Sequence, residues 1–407
     1  MQEHETNLYP RPPAPLWEIF AAFLRLGLTS FGGPVAHLGY FRNEFVGRRR
    51  WLGEGAYADL VALCQFLPGP ASSQVGFGLG LLRGGLAGAF LAWLGFTAPS
   101  AIALTLFGYG AEKYGNLLGT GFLHGLNVVA VAVVAQAVWS MARVLTPDRQ
   151  RMTTAVVACI VVLAWPGSFG QIAAILGGAS IGRLLFKPER ESAPATDALF
   201  VTVGRTTAMS CATVFLVLLA GLPLAASIVP DHALALVDRL YRAGALVFGG
   251  GHVILPLLQS AVVPPGWVDN ATFLAGYGAA QAVPGPLFTF AAYLGTVMSP
   301  APNGWLGAIL CLFAIYLPTF LLMIGAMPLW NYARSHPAIR AALTGVNAAV
   351  VGLLLAALYN PVWTSAILDR SDFMLALAAF LLLALWRTPP WLVVALTAVG
   401  GTLLAAF

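Results

Sequence analysis

The chain has 407 residues, of which 59% are hydrophobic and only 9% are Asp, Glu, Lys or Arg. A soluble domain carries about 25% charged residues, and a soluble chain of this length with so few could not cover its surface. The composition excludes a soluble enzyme, a disordered scaffold and a nucleic-acid-binding protein, and leaves a polytopic membrane protein. Long apolar runs rich in Ala, Leu and Gly, without alternation, disfavour an outer-membrane barrel.

The 21 basic and 16 acidic residues give a net charge of +5. In a membrane protein this excess reports first on orientation in the bilayer, and only second on an anionic cargo. Residues 1–15 form a Pro-rich N-terminal arm without the basic stretch of a signal peptide. No C-x-x-C pair is present, so we expect no disulfide, metal site or cofactor. The four cysteines lie in apolar segments: Cys64, Cys159, Cys211 and Cys311.

Nine apolar segments predict membrane helices, near residues 85–110, 121–145, 152–167, 169–186, 206–229, 303–328, 341–359, 371–386 and 389–406. Two further apolar regions, 16–47 and 53–81, are interrupted by Phe-Gly-Gly-Pro at 31–34 and by Pro-Gly-Pro at 68–70. Gly and Pro end one helix there and begin another, because Pro lacks an N–H group and suits the first turn of a helix. Each interrupted region therefore predicts two half-helices.

The two halves of the chain share three motifs in one register. Phe-Gly-Gly-Pro at 31–34 matches Phe-Gly-Gly-Gly at 248–251, Gln-Phe-Leu-Pro-Gly-Pro at 65–70 matches Gln-Ala-Val-Pro-Gly-Pro at 281–286, and Gly-Leu-Asn at 125–127 matches Gly-Val-Asn at 345–347. The offsets are 217, 216 and 220 residues, which indicates an internal duplication. We expect a first repeat at 16–186, a linker loop with a connecting helix at 187–232, and a second repeat at 233–407.

The basic residues favour re-entrant hairpins in the interrupted regions. With hairpins, sixteen of the 21 basic residues fall on one face, which the positive-inside rule assigns to the cytoplasm together with the N-terminus. The sixteen are Arg11, Arg42, Arg48, Arg49, Arg50, Arg83, Arg143, Arg149, Arg151, Arg183, Lys187, Arg190, Arg205, Arg334, Arg340 and Arg387. If every interrupted segment spans the membrane instead, this bias is lost.

The predicted fold is therefore an all-α polytopic membrane protein built from two inverted-topology repeats, a plan that recurs in secondary transporters. Each repeat would contain two re-entrant broken-helix hairpins and four membrane helices. One extra membrane helix near 206–229 would join the repeats and invert the second.

The helix breaks predict a binding site. Non-helical backbone at membrane depth is tolerated only where protein buries it or where it lines a wet cavity. Half-helices that begin at such breaks present free N–H groups and a positive dipole end, which suit an anion. Two intramembrane arginines at matching positions add charge. The candidate substrate-binding residues are Arg25, Phe31, Gly32, Gly33, Pro34, His37, Gln65, Pro68, Gly69, Pro70, Ser72, Ser73, Gln74, Arg242, Phe248, Gly249, Gly250, Gly251, His252, Gln281, Pro284, Gly285, Pro286 and Thr289.

Structural explanations compete with this site. A single Pro-Gly-Pro is more often a kink, although two at one offset favour a function. His37 and His252 either relay protons or satisfy polar groups where helices pack. Arg25 and Arg242 either hold the cargo, snorkel to a lipid headgroup, or pair with nearby carboxylates at Glu18 and Asp238.

At these motifs the sequence resembles the chromate ion transporter family in its long, two-domain form. The resemblance rests on Phe-Gly-Gly-Pro at 31–34 with His37, on residues 65–74, and on the second-half motifs at 248–252 and 281–286. It covers essentially the whole chain. It implies an inner-membrane carrier that exports chromate, a structural mimic of sulfate, and so gives chromate resistance. Gly251 stands where the first half has Pro34, which puts equal roles for the two halves in doubt.

The same residues also fit other functions. A channel for oxyanions or a sulfate transporter would share the architecture. The coupling ion, proton or counter-anion, is also open, and so is a homodimer, since single-domain members of the family work as pairs. An enzyme is not expected: Gly178-Ala179-Ser180-Ile181-Gly182 matches G-x-S-x-G but lies inside an apolar helix, and the chain has no phosphate-binding G-x-x-x-x-G-K loop.

Overall fold

The computed structural model describes residues 14–118, 120–166, 168–186, 203–248, 253–330 and 336–405. In those ranges the chain is helical and contains no strand. The helices are α1 Leu16–Thr29, α2 Gly33–Phe41, α3 Glu54–Phe66, α4 Ala71–Leu118, α5 Thr120–Leu145, α6 Arg149–Ala164, α7 Ser168–Leu185, α8 Arg205–Ile228, α9 His232–Ala245, α10 Ile254–Val262, α11 Asn270–Ala282, α12 Phe290–Val297, α13 Gly304–Ala326, α14 Pro337–Ala357, α15 Arg370–Ala384 and α16 Pro390–Leu404.

Within the described residues, each of the nine predicted membrane segments is largely helical. Five helical stretches are long and apolar enough to cross a membrane: Ala71–Ala111, Gly121–Leu145, Arg205–Ile228, Gly304–Ala326 and Pro337–Ala366. Shorter apolar helices follow at Phe169–Leu185, Leu287–Val297 and Pro390–Leu404. These lengths and compositions confirm an all-helical, polytopic membrane protein.

The predicted helix breaks are present. Between α1 and α2 the backbone turns at Gly32 and Gly33, with φ values of +100° and +74°. Only glycine adopts this region without strain, and Pro34 then occupies the first turn of α2. The two Pro-Gly-Pro breaks also turn on glycine, at Gly69 with φ +131° and at Gly285 with φ +111°.

Helix α4 is a hairpin within one continuous stretch. Gly84 and Gly85 leave helical geometry, and Gly85 has φ +61°. The segments on either side fold back on each other, so closely that a Cβ atom on Gly80 would lie 2.7 Å from the Cβ of Ala92. The half-helix that begins at Ala71 therefore ends at Gly84, and the helix that follows Gly85 runs back along it.

Two exchanged helix pairs join the halves, and in each pair one helix comes from the first half and the other from the second. In one pair α5 packs on α16, and a Cβ on Gly121 would lie 2.7 Å from the carbonyl oxygen of Gly401. In the other pair α14 packs on α7, and a Cβ on Gly178 would lie 2.7 Å from the carbonyl oxygen of Gly345. Each half thus packs its last described helix against the other half, with backbones in contact through small residues.

The first helices of the two halves are also placed alike. Helix α1 packs on α4, where Gly27 meets the backbone of Phe96, and α9 packs on α13, where Gly244 meets the backbone of Ile315. Large buried aromatics fill the centre, including Tyr277, Tyr293 and Tyr316. Helix α8 lies outside this core against α9 and α13, and its side chains are mostly apolar and exposed. A lipid-facing position explains such a helix.

Candidate functional site

Two backbone hydrogen bonds tie the breaks of one half to the breaks of the other. The N–H of Gly285 donates to the carbonyl of Ser30 over 3.0 Å, and the N–H of Gly69 donates to the carbonyl of Val247 over 2.6 Å. Ser30 and Val247 are 217 positions apart, whereas Gly69 and Gly285 are 216 apart. Each Pro-Gly-Pro segment therefore donates to the residue that precedes the Phe-Gly-Gly motif of the other half.

A cavity of about 80 Å³ opens beside the first of these bonds. Its wall contains the glycine break of the first half and the Gln-Ala-Val-Pro-Gly-Pro break of the second. The lining residues are Ser30, Gly32, Gly33, Pro34, Val133, Gln136, Ala280, Gln281, Val283, Gly285, Leu287, Leu383 and Pro390. The volume suits a small polyatomic ion or a few water molecules. Both halves of the chain are needed to form this wall.

Three kinds of hydrogen-bond donor face or border this cavity. The Oγ of fully buried Ser30 and the Nε2 of Gln281 have no hydrogen-bond partner among the described residues. Gln136 adds a second amide from the middle of apolar α5. The free N–H groups in the first turn of α2 point toward the N-terminal end of the helix, where Gly32 and Gly33 line the cavity. No side chain caps this end of α2. Uncharged donors with a helix N-terminus form an environment that suits an oxyanion.

His37 supports the break without reaching the cavity. It is buried; its Nε2 lies 3.1 Å from the Ser30 carbonyl and its Nδ1 lies 3.4 Å from the Ser72 hydroxyl. A carbonyl only accepts, so Nε2 carries the hydrogen and Nδ1 accepts from Ser72. The Ser30 carbonyl therefore receives His37 from its own half and Gly285 from the other. The edge of the Phe96 ring packs on the imidazole.

Polar side chains after the breaks bind the backbone or each other. Gln74 Nε2 donates to the carbonyl of Pro68 over 2.7 Å, and Thr289 Oγ1 donates to the carbonyl of Pro286 over 2.7 Å. Ser73 Oγ lies 3.4 Å from the hydroxyl of Tyr316. In this conformation these groups hold the breaks, while the Oε1 of Gln74 is buried without a hydrogen-bond partner among the described residues.

The two glutamines that open the Pro-Gly-Pro motifs have different surroundings. Gln281 is half-buried and lines the cavity, whereas Gln65 is exposed at the end of α3. Phe31 and Phe248 are half-buried beside their glycine breaks, and Pro68, Pro70, Pro284 and Pro286 set the direction of the chain at the other breaks. The predicted residues Gly249, Gly250, Gly251 and His252 lie outside the described residues.

The two arginines that the sequence predicts within the membrane also differ. Arg25 is exposed on α1, and the carboxylate of Glu18 pairs with Arg49 at 2.5 Å and not with Arg25. Arg242 binds Asp238 through two hydrogen bonds, one of them from Nε to Oδ1 over 2.9 Å. Of the alternatives left open by the sequence, pairing with a carboxylate is therefore found for Arg242.

Several residues that line the cavity were not predicted from the sequence. Ser30 directly precedes the Phe-Gly-Gly-Pro motif, and Gln136 is an amide inside an otherwise apolar helix. Both positions could therefore have been recognised in the sequence as candidate site residues. Val133, Leu383 and Pro390 reach the cavity only through tertiary packing. The motif Gly178–Gly182 has a packing explanation: both glycines contact α14, and Ser180 is exposed and donates to the carbonyl of Leu176.

Comparison with known proteins agrees with this architecture. A family model described as chromate transporter matches residues 17–183 and again residues 234–402. The chain belongs to the chromate transporter family. It is 30% identical to a chromate transport protein of Pseudomonas aeruginosa over 84% of this chain and 80% of that protein. No solved structure matches significantly.

Two further relatives cover nearly the whole chain. A probable chromate transport protein of Synechococcus elongatus is 25% identical over 99% of both chains. A chromate transport protein of Cupriavidus metallidurans is 24% identical over 93% of this chain and 90% of its own length. The long form of the family, with both halves in one chain, is therefore shared with these relatives.

Proposed function

We propose that this chain carries chromate across the bacterial inner membrane and exports it from the cytoplasm, with sulfate as a competing cargo. The cavity between the Ser30 break and the Gln281 break carries the proposal. It presents hydroxyl, amide and backbone donors to a small volume at the meeting point of both halves. An oxyanion needs several donors at once, and the names of the relatives supply the choice of chromate.

In this proposal the breaks are the substrate-binding elements. The N-terminus of α2 and the donors of Ser30, Gln136 and Gln281 bind the anion, while His37, Ser72, Ser73, Gln74 and Thr289 hold the breaks in shape. The breaks of the two halves are bonded to each other, so a change at one is transmitted to the other. Such linked breaks fit a carrier, in which one half rocks against the other around a fixed site.

We further propose that the halves are inverted repeats whose interrupted segments are re-entrant hairpins. The matched hydrogen bonds at Ser30 and Val247 support a two-fold relation, and so do the exchanged helix pairs. The distribution of basic residues supports a cytoplasmic N-terminus.

Export of a dianion agrees with the membrane potential. Moving one charge across 100 mV changes the free energy by about 2.3 kcal/mol, so an inside-negative potential favours leaving by about 4.6 kcal/mol for two charges. Export therefore needs no coupling ion on energetic grounds, although proton coupling or anion exchange fits the same structure.

Uptake of radiolabelled chromate into inside-out membrane vesicles tests the transport function. Export then becomes uptake, and we expect a saturable signal that an interior-positive potential increases and that external sulfate reduces. Flux without saturation or counterflow would indicate a channel. Sulfate transport without chromate transport would contradict the proposed cargo, and vesicles without the protein provide the baseline.

Cysteine accessibility tests the topology separately. In a background with Cys64, Cys159, Cys211 and Cys311 replaced, single cysteines are placed at Arg48 and at the equivalent Pro264. A membrane-impermeant maleimide should label the two positions from opposite faces of intact cells and inside-out vesicles. Labelling of both from one face would contradict the inverted repeat.

A further inference from the structure

A second cavity, of about 170 Å³, lies along α9 and is separate from the cavity at the breaks. Gln171 from α7, Arg239 and Arg242 from α9, and Ser260 from α10 provide its polar lining. Both charged residues in that lining are arginines. Like the cavity at the breaks, it is formed by both halves, since α7 precedes the linker and α9 follows it.

The two guanidinium groups are held in place but retain unused donors. Arg242 directs two N–H groups at Asp238, whose side chain is 5% exposed. Arg239 donates from Nη1 to the carbonyl of Ala261 over 2.8 Å and lies 4.8 Å above the ring of Trp267. A guanidinium carries five N–H donors. Described residues therefore accept from only part of each group.

The charges do not balance. Among the described residues around this cavity, the carboxylate of Asp238 faces two guanidinium groups, which leaves one positive charge in excess. Asp231 caps α9, and the rise of 1.5 Å per residue places Arg239 and Arg242 about 12 and 16 Å along the helix from that cap. Asp231 is therefore too far away to pair with either arginine. Both arginine side chains are partly buried, and a bound anion would compensate the excess charge between them.

A buried amide supplies an independent sign of an occupant. Gln171 is 5% exposed, its Nε2 donates to the carbonyl of Pro256 over 3.2 Å, and its Oε1 has no hydrogen-bond partner among the described residues. Buried polar atoms are usually satisfied by protein, water or ligand. A water that accompanies the anion would donate to this oxygen and satisfy it.

The fold itself does not need these charges. At the matching positions of the first half, 217 residues earlier, Ala21 and Ala22 replace Asp238 and Arg239. Helix α1 nevertheless packs on α4 as α9 packs on α13. A purely structural role accounts for the Asp238–Arg242 pair and for the contacts of Arg239 with Ala261 and Trp267, but it leaves the remaining guanidinium donors and the excess charge unused.

We propose that Arg239, Arg242 and Gln171 form a second binding site for a tetrahedral divalent oxyanion, distinct from the cavity at the breaks. Asp238 competes with the anion for the donors of Arg242 and so lowers the affinity of this site, which allows release. The inference rests on the proposed function, because the anion is the transported one. The site has no counterpart at the matching positions of the first half, where Ala21 and Ala22 stand in place of Asp238 and Arg239.

Equilibrium binding of radiolabelled chromate to the full-length protein in lipid nanodiscs tests the second site. We expect the wild type to bind two anions and Arg239→Gln to bind one, because the loss of a charged donor weakens binding about tenfold or more. Asp238→Asn should tighten the second site severalfold, since the competing carboxylate is gone. Arg370→Gln, which removes an exposed arginine at the start of α15, should change neither site.

Two results would overturn the second site: a single bound anion in the wild type, or unchanged binding in both Arg239→Gln and Asp238→Asn. If Arg239→Gln does not elute as a folded protein in size exclusion, Asp238→Asn decides alone, and unchanged affinity there refutes the site. Chromate uptake by the wild type separates this failure from that of the proposed function. Uptake with one bound anion contradicts only the second site, whereas no uptake contradicts the function.

Discussion

The two halves of this transporter share a backbone plan but differ in the side chains attached to it. Both Pro-Gly-Pro segments donate a glycine N–H to the other half, yet Gln281 lines a cavity and Gln65 is exposed. Both first helices carry an arginine at the same position, yet Arg25 is exposed and Arg242 is bound to Asp238. The two halves share the hydrogen bond from the Pro-Gly-Pro segment to the residue before the Phe-Gly-Gly motif. The chemistry placed on them has diverged.

This difference suggests a division of roles. The first half contributes a glycine break with a helix N-terminus and no charged group in the cavity lining, whereas the second half contributes Gln281 there and two arginines elsewhere. A neutral site binds an anion through hydrogen bonds alone and releases it easily, because no full charge has to be separated. A site with guanidinium groups attracts the anion from a distance.

The largest expected effect tests what the halves have in common. Gly178→Leu forces a side chain into the backbone of Gly345, and Gly121→Leu does the same against Gly401. Overpacking of a close contact costs about 1–3 kcal/mol, and here the two backbones must separate. We expect both variants to lose most folded protein in detergent, as measured by fluorescence-detected size exclusion.

Gly177→Leu is the matched control for that experiment, because a Cβ at Gly177 meets nothing within 4 Å. It should behave as wild type. If Gly121→Leu is tolerated while Gly178→Leu is not, the two exchanged helix pairs do not contribute equally to stability. The similarity of the two halves would then be limited to the path of the backbone.

The second effect tests where the halves differ. Gln281→Ala removes a donor from the cavity at the breaks, whereas Gln65→Ala changes an exposed side chain at the same motif position. A hydrogen bond to a charged group contributes about 1.5–3 kcal/mol, so the KM for chromate should rise roughly tenfold or more in Gln281→Ala. Gln65→Ala should leave it unchanged. Equal effects of the two variants in vesicle uptake would place the substrate elsewhere.

Much of this comparison could be predicted from the sequence, because glycine and proline act locally. Gly32, Gly33 and the two Pro-Gly-Pro segments break helices through their own backbone limits, and all of the described breaks are found. The spacing of the motifs likewise paired Ser30 with Val247 and Gly69 with Gly285, the residues that the two matched hydrogen bonds join crosswise.

The side-chain surroundings could not be predicted in the same way. Whether Arg242 meets Asp238, or Arg25 meets Glu18, depends on which helices pack against each other, and Glu18 is bound by Arg49 from a distant segment. The surroundings of Gln65 and Gln281 could not be predicted either, because the two residues occupy the same motif position but one is exposed and the other lines the cavity. The identity of a residue in a duplicated motif therefore predicts its backbone better than its partners.

An intermediate effect is expected at His37. His37→Ala removes the donor to the Ser30 carbonyl, but Gly285 still donates to the same oxygen. The break should become less rigid without unfolding, because one of two hydrogen bonds remains. We expect a severalfold fall in the maximal rate of chromate uptake. His37→Gln can keep a donor near the carbonyl and should recover part of the rate; no recovery would mean that the imidazole does more than hold the break.

The smallest expected effect is at Arg25, the exposed member of the two matching arginines. Arg25→Gln changes an exposed side chain that lines neither cavity, whereas Arg242→Gln leaves Asp238 buried without its partner. A buried carboxylate without a counter-charge is costly, so Arg242→Gln should lower both stability and chromate binding. For Arg25→Gln we expect a change of less than about twofold in KM and maximal rate, as for a surface substitution. A large loss in Arg25→Gln would show that α1 turns this arginine toward the substrate in another conformation of the carrier. The two arginines would then have the same role, binding the substrate, but in different conformations of the carrier.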